Sequence, residues 1–190
     1  MRGINADSLW SVQRSRRSPD RRVPSRGVDR RDGFVRRRLS VVQHPIEIRA
    51  VRADERDAWE PLWQGYLTFY ETAVPREVTD TTWQRLHDSA EPIHVLGAFL
   101  DGRLIGIVHY LFHRSTWTIG DYCYLQDLFT VPEARGLGAG RALIDAVTER
   151  ARAAGASRVY WLTHESNAVA RGLYDRVADR PGFIQYRRIL

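Results

Sequence analysis

The sequence predicts a mixed α/β domain that begins near Ile46 and follows an Arg-rich leader. Three observations predict it. Short runs of alternating apolar and polar residues begin at Ile46, and Asp101-Gly102 sits between two of them as a hairpin signal. Beyond Tyr122 the pattern changes to strand, helix, strand, helix. Hairpins first and a βαβ order later imply a mixed sheet with helices packed on it.

Ile46 to Arg52 alternates with the period of a half-buried strand, and Ala53-Asp54-Glu55 offers a helix start. Trp59, Leu62, Trp63, Tyr66, Leu67 and Tyr70 then recur every three or four residues, with Pro75 as the stop. Thr79 to Leu86 reads as a shorter helix. Ile93–Phe99 and Arg103–Phe112 are strands joined at Asp101-Gly102, and Tyr122–Val131 is a third, ended by Pro132. A helix from Gly138 to Ala154 buries Leu143, Ile144 and Val147 and stops at Gly155. Arg158–Thr163 reads as a strand, Asn167–Val177 as a helix and Phe183–Leu190 as a closing strand.

Residues 1–45 carry 12 Arg and 4 Asp, whereas residues 46–190 carry 17 Arg against 19 Asp and Glu, so the overall +6 resides in the leader. Every basic residue is Arg. The leader has no helical or strand period and too few apolar residues to offset the entropy of ordering, so it is expected to be disordered. An upstream start codon is one origin for such a segment. Clustered Arg also suits phosphate, which leaves nucleic-acid binding as the lesser reading. The four Asp and the lack of an apolar stretch argue against a targeting peptide.

No apolar run is long enough to cross a bilayer, so no membrane partner is expected. Cys123 is the only cysteine, which excludes an internal disulfide and fits a reducing cytoplasm. His109 and His113 fall on one strand, too far apart for a shared metal, and no metal site is expected.

The chemistry concentrates in Pro132-Glu133-Ala134-Arg135-Gly136-Leu137-Gly138-Ala139-Gly140-Arg141. Three glycines in five residues let the backbone approach a ligand, at a helix N-terminus whose free N–H groups favour phosphate. Arg135 and Arg141 add charge. A P-loop would need Lys, which the chain lacks, and the G-x-G-x-x-G fingerprint fails in both registers.

Arg135-Gly136-Leu137-Gly138-Ala139-Gly140 resembles the R-x-x-G-x-G/A signature of the GNAT superfamily of N-acetyltransferases. Asn167-Ala168-Val169-Ala170-Arg171-Gly172-Leu173-Tyr174 resembles its N-x-x-A-x-x-L-Y segment, and Gly182-Phe183 with Tyr186-Arg187-Arg188 matches its usual ending. The likeness covers nearly all of residues 46–190. Trp117, the Tyr124–Phe129 strand, Tyr160-Trp161-Leu162-Thr163 and Leu173 to Ala178 most resemble bacterial relatives of the yeast histone and polyamine acetyltransferases and of spermidine/spermine N-acetyltransferase.

The resemblance implies a central, mostly antiparallel twisted sheet of six to seven strands flanked by about four helices. It also implies acetyl transfer from acetyl-CoA to a primary amine of a small molecule, polyamine or protein. Leu128, Phe129, Thr130 and Val131 would align the pantetheine arm and polarise the thioester carbonyl. Arg135, Gly136, Leu137, Gly138, Ala139, Gly140 and Arg141 would hold the pyrophosphate. Tyr174 matches the catalytic tyrosine that protonates the leaving thiolate. Asn167 is expected to cap its helix and to touch pantetheine.

The base is less clear. Where spermidine/spermine relatives carry Glu, this chain has Gln126, and Asp127 points to the opposite face of a regular strand unless a bulge intervenes. Water, Glu71 or Asp121 are the alternatives. Acceptor contacts are expected from Phe69, Tyr70, Glu71, Trp117, Gln126 and Asp127, with aromatics packing a cation. Relatives of this branch are often dimers, which implies a homodimer. The competing readings are a non-catalytic acyl-CoA-binding module and a nucleic-acid-binding protein acting through the leader.

Overall fold

The computed structural model describes residues 45–190, and the expectation of a disordered leader falls outside them apart from Pro45. Five strands and four α-helices follow in the order β1 (Glu47–Ala50), α1 (Arg56–Phe69), α2 (Arg76–Leu86), β2 (Ile93–Leu100), β3 (Arg103–His113), β4 (Tyr122–Thr130), α3 (Ala139–Ala153), β5 (Arg158–Tyr160) and α4 (Ala168–Val177). A 3₁₀ turn over Pro132–Ala134 leads from β4 toward α3.

The sheet runs β1-β2-β3-β4-β5. The first three pairings are antiparallel and β4–β5 is parallel. Asp101 and Gly102 both take positive φ (51° and 77°), the left-handed pair that a tight hairpin turn demands. The two faces of the sheet are covered separately. On one, Leu143, Ile144 and Val147 of α3 pack with Val108, Cys123 and Leu125. On the other, Trp59, Leu62 and Trp63 of α1 and Trp83 of α2 pack on Val95, Phe99 and Ile107. Leu143 is fully buried, and Leu143→Ala would cost about 2–5 kcal/mol through lost transfer energy and a residual cavity. Gly65 fits α1 closely to β4, because a Cβ there would lie 2.7 Å from the Phe129 ring.

Two expectations are corrected. Phe183–Leu190 forms no strand, so the described residues give a five-stranded sheet in place of six or seven. Its backbone meets no strand edge among the described residues, and Phe183, Ile184, Tyr186 and Ile189 are 73–88% exposed. The strand expected over Arg158–Thr163 ends at Tyr160. Pairing between β4 and β5 stops at Tyr124↔Tyr160, because a bulge in β4 turns the strand away beyond that point.

Elsewhere the boundaries move by a few residues. The first helix starts at Arg56 without a side-chain cap. Glu55 instead accepts from both terminal nitrogens of Arg49 (2.8 Å each) and from the Arg52 amide (2.8 Å). Among the described residues no helix is long and apolar enough to cross a membrane.

Candidate active site

The bulge in β4 organises the site. His109 pairs with Asp127 and Tyr110 with Leu125, which leaves Gln126 as the extra residue. Gln126 is turned to solvent, and Asp127 points inward with His109 and Trp59 on the α1 side of the sheet, whereas Cys123 and Leu125 before the bulge pack on the α3 side. Past the bulge β4 and β5 diverge, and the β5-facing edge of Leu128–Thr130 is left without a ladder partner among the described residues. A cleft of about 900 Å³ fills the gap.

One wall of the cleft is Leu128, Phe129 and Thr130, and its floor is the glycine loop with the start of α3. The first helical hydrogen bond of α3 runs from the Ala142 amide to Gly138 O (3.0 Å), so the amides of Ala139, Gly140 and Arg141 have no acceptor within the helix. Gly136 and Gly138 take φ of 80° and 92°, and a Cβ built on either would meet nothing within 4 Å. The loop is therefore open on the cleft side, and its amides and Arg135 and Arg141 form a cradle suited to a pyrophosphate. Asn167 caps α4 by accepting from the Ala170 amide (3.3 Å) and also lines the cleft. Of the residues expected to hold the donor, Val131 and Leu137 do not line it. Val131 packs against the core, and Leu137 is 54% exposed.

The opposite wall carries Leu173 and Tyr174 of α4, with Phe69, Tyr70 and Glu71 at the end of α1. Glu71 sits in the left-handed region at φ 51°. Tyr174 packs edge-on against Trp161, with ring centroids 5.4 Å apart. Burial, helped by the nearby Tyr70, pushes the Tyr174 phenol up to about 12.

An aromatic ladder on one face of α1 leads from the core to the cleft. Trp59, Trp63, Tyr66 and Tyr70 follow at helical spacing, with successive ring centroids 6.0, 5.5 and 5.0 Å apart. Asp127 lies beside it. His109 Nδ1 is 3.0 Å from Asp127 Oδ2, and the Trp59 indole N–H donates to His109 Nε2 at 2.9 Å. His109 is 1% exposed and Asp127 9%. Burial first and the Asp127 charge second raise the Tyr66 phenol, and the same two causes raise Tyr124. Tyr70 acts on Tyr66, Tyr124 and Tyr174 alike. Asp127 on β4, Tyr66 and Tyr70 at the end of α1 and Tyr174 on α4 thus share one electrostatic neighbourhood.

Asp127 lies behind the cleft wall, one residue before Leu128. Trp117 is apart from the cleft, in a surface hollow with Arg114, Tyr122, Arg158 and Phe183. Asp121 pairs with Arg114 at 3.1 Å. The helical spacing of Trp59, Trp63 and Tyr66 and the strand positions of His109 and Tyr124 do not by themselves bring these side chains to Asp127. The only local signal for their meeting was Asp127 beside the extra residue Gln126.

A split sheet edge, an open glycine cradle and a phenol thus surround one cleft. Residues 56–178 match the model of the acetyltransferase (GNAT) family. The chain belongs to that family. Among its relatives is the D-amino-acid N-acetyltransferase HPA3 of Saccharomyces cerevisiae, 35% identical over 150 residues that cover 78% of this chain and 93% of that protein. The thialysine N-epsilon-acetyltransferase of Caenorhabditis elegans is 33% identical over 85 residues, 45% of this chain and 52% of that one.

Solved GNAT structures share the fold. The ribosomal-protein-alanine N-acetyltransferase of Brucella melitensis superposes with a TM-score of 0.63 at 20% identity, covering 77% of this chain and all of that one. The aminoglycoside N-acetyltransferase AAC(6')-Iy in complex with CoA gives 0.66 at 16%, covering 76% and 95%. The protein is therefore an acyltransferase of the N-acetyltransferase type, and its family uses acetyl-CoA.

Proposed function

We propose that this GNAT protein transfers acetyl from acetyl-CoA by direct attack of the primary amine of a small, amino-acid-sized acceptor. The observation that carries the reading is Tyr174, set across the cleft from the glycine loop and the free edge of Leu128–Thr130 at the point where β4 and β5 separate. Loop amides from Gly136 to Arg141 hold the pyrophosphate, and the free edge of Leu128–Thr130 aligns the pantetheine arm and polarises the carbonyl.

Asp127, behind the cleft wall, attracts the ammonium group by its charge and receives its first proton through an intervening water, leaving a neutral amine to attack. The new C–N bond forms as the C–S bond breaks, and Tyr174 gives its proton to the departing sulfur. The second proton lost by nitrogen restores the Tyr174 phenol through solvent in the cleft. Ammonium and thioester thus become amide, thiol and one released proton.

The acceptor class follows from charge. A polyamine needs several carboxylates, and here Gln126 fills the place of one on β4 and faces out, leaving Glu71 on the cleft wall and Asp127 behind it. That HPA3 is a D-amino-acid acetyltransferase supports the same choice. A homodimer is part of this reading. The apolar residues of 183–190 are exposed, and Phe183 lies beside Arg158 at the start of the edge strand β5, so a second copy is the partner that would cover them.

Thiol release from acetyl-CoA, measured over D- and L-amino acids, lysine analogues, polyamines and aminoglycosides, tests the proposal. Release with amino acids is expected. Release with polyamines alone would overturn the acceptor class.

A further inference from the structure

Resting on that role for Asp127, we infer that His109, locked by Trp59, is the positioning residue that fixes the direction of the Asp127 carboxylate behind the acceptor wall of the cleft. The argument is one of hydrogen-bond polarity. An indole N–H can only donate, so Trp59 requires His109 Nε2 to be the acceptor. The ring proton must then reside on Nδ1, where it faces Asp127 Oδ2 at 3.0 Å. Flipping the ring would place carbon atoms against both partners, so its orientation is determined twice.

Oδ2 is thereby committed to His109, which sets the direction of the carboxylate beside the Tyr66 phenol on which its charge acts. His109 and Asp127 are direct cross-strand partners at the bulge, so the same residue that meets the displaced strand also orients its carboxylate.

Stability alone does not account for the arrangement. Burying an imidazole and a carboxylate beside Trp59 and Trp63 carries a desolvation cost that apolar side chains of the same size would avoid. The triad also lies at the inner end of the ladder that opens on the cleft at Tyr70, where orientation of a charge matters.

The experiment is a double-mutant cycle on the full chain, with His109→Leu, Asp127→Asn and the pair, read as acceptor KM, kcat and acetyl-CoA Kd. His109→Leu is expected to lower kcat/KM for the amine about 30–100-fold, the scale of a small misplacement of a reacting group, while acetyl-CoA Kd is unchanged. His109→Asn, which still presents a donor to Asp127, should recover most of the loss. In the Asp127→Asn background, His109→Leu should cost less than about threefold. Additive effects would overturn the inference. A silent Asp127→Asn would instead refute the catalytic reading on which it rests.

Should His109→Leu not fold, nitrogen NMR of the wild-type ring decides. A proton on Nδ1 is expected, and a proton on Nε2 overturns the assignment.

Discussion

Replacing Tyr174 by Phe is the most direct test of the chemistry. The ring packs edge-on against Trp161, and its hydroxyl makes no hydrogen bond to the described residues. Deleting that oxygen should therefore leave the packing and the melting temperature nearly unchanged. The phenol, pushed up to about 12 by burial, remains protonated at neutral pH and is available as an acid on every turnover.

Loss of a general acid of this kind costs about 10²–10⁴ in rate, or about 3–5 kcal/mol of barrier. The assay is thiol release at saturating acceptor, with acetyl-CoA affinity followed by calorimetry. We expect kcat to fall at least 100-fold, about 3 kcal/mol, with Kd within about twofold. A variant within about threefold of wild-type kcat would refute the assignment. The sign of the pH dependence is also set. The acid form is present below the folded pKa and lost only as pH rises through about 12, so kcat should show no alkaline limb from this residue near pH 9.

Three further outcomes are expected. Gly138→Val forces a β-branched residue to φ 92° and extends its side chain into the open cradle. Calorimetry should show acetyl-CoA affinity reduced at least about 30-fold, and unchanged affinity would remove the loop from the donor site. Glu55, held by Arg49 and the Arg52 amide, is lowered from 4.5 to about 2. Its stabilisation is present above pH 4.5 and is lost as pH falls through about 2. Glu55→Gln should cost about 1–2 kcal/mol at pH 7 in urea unfolding and flatten the wild-type decline between pH 5 and 2; a variant that keeps the wild-type slope would show that the pair contributes nothing. Deleting residues 183–190 should convert a dimer to a monomer in light scattering, and a monomeric full-length chain would rule out the second copy as their partner.

Local pattern was enough for much of this. The glycine loop was legible because phosphate-binding backbone requires small residues at contiguous positions, and Gly136, Gly138 and Gly140 stand within five residues. The Asp101-Gly102 hairpin and the apolar face of α3 were legible for the same reason: turn chemistry and helical period are short-range. Tyr174 and Asn167 could be named because they fall in one short segment.

Tertiary structure decided what depends on partners distant in sequence. Whether Phe183–Leu190 pairs as a strand depends on an available edge, and no edge among the described residues receives it. Which way Asp127 points depends on whether β3 faces Gln126 or skips it, a matter of register between two strands. Trp59, His109 and Asp127 are 50 and 18 residues apart, so nothing in their spacing foretold that an indole would set the tautomer of an imidazole that holds a carboxylate. The sequence by itself determined the open glycine loop at the start of α3, because one continuous segment supplies it. The acceptor side was decided only by the folded sheet, because its carboxylate, imidazole and phenols come from three separate elements.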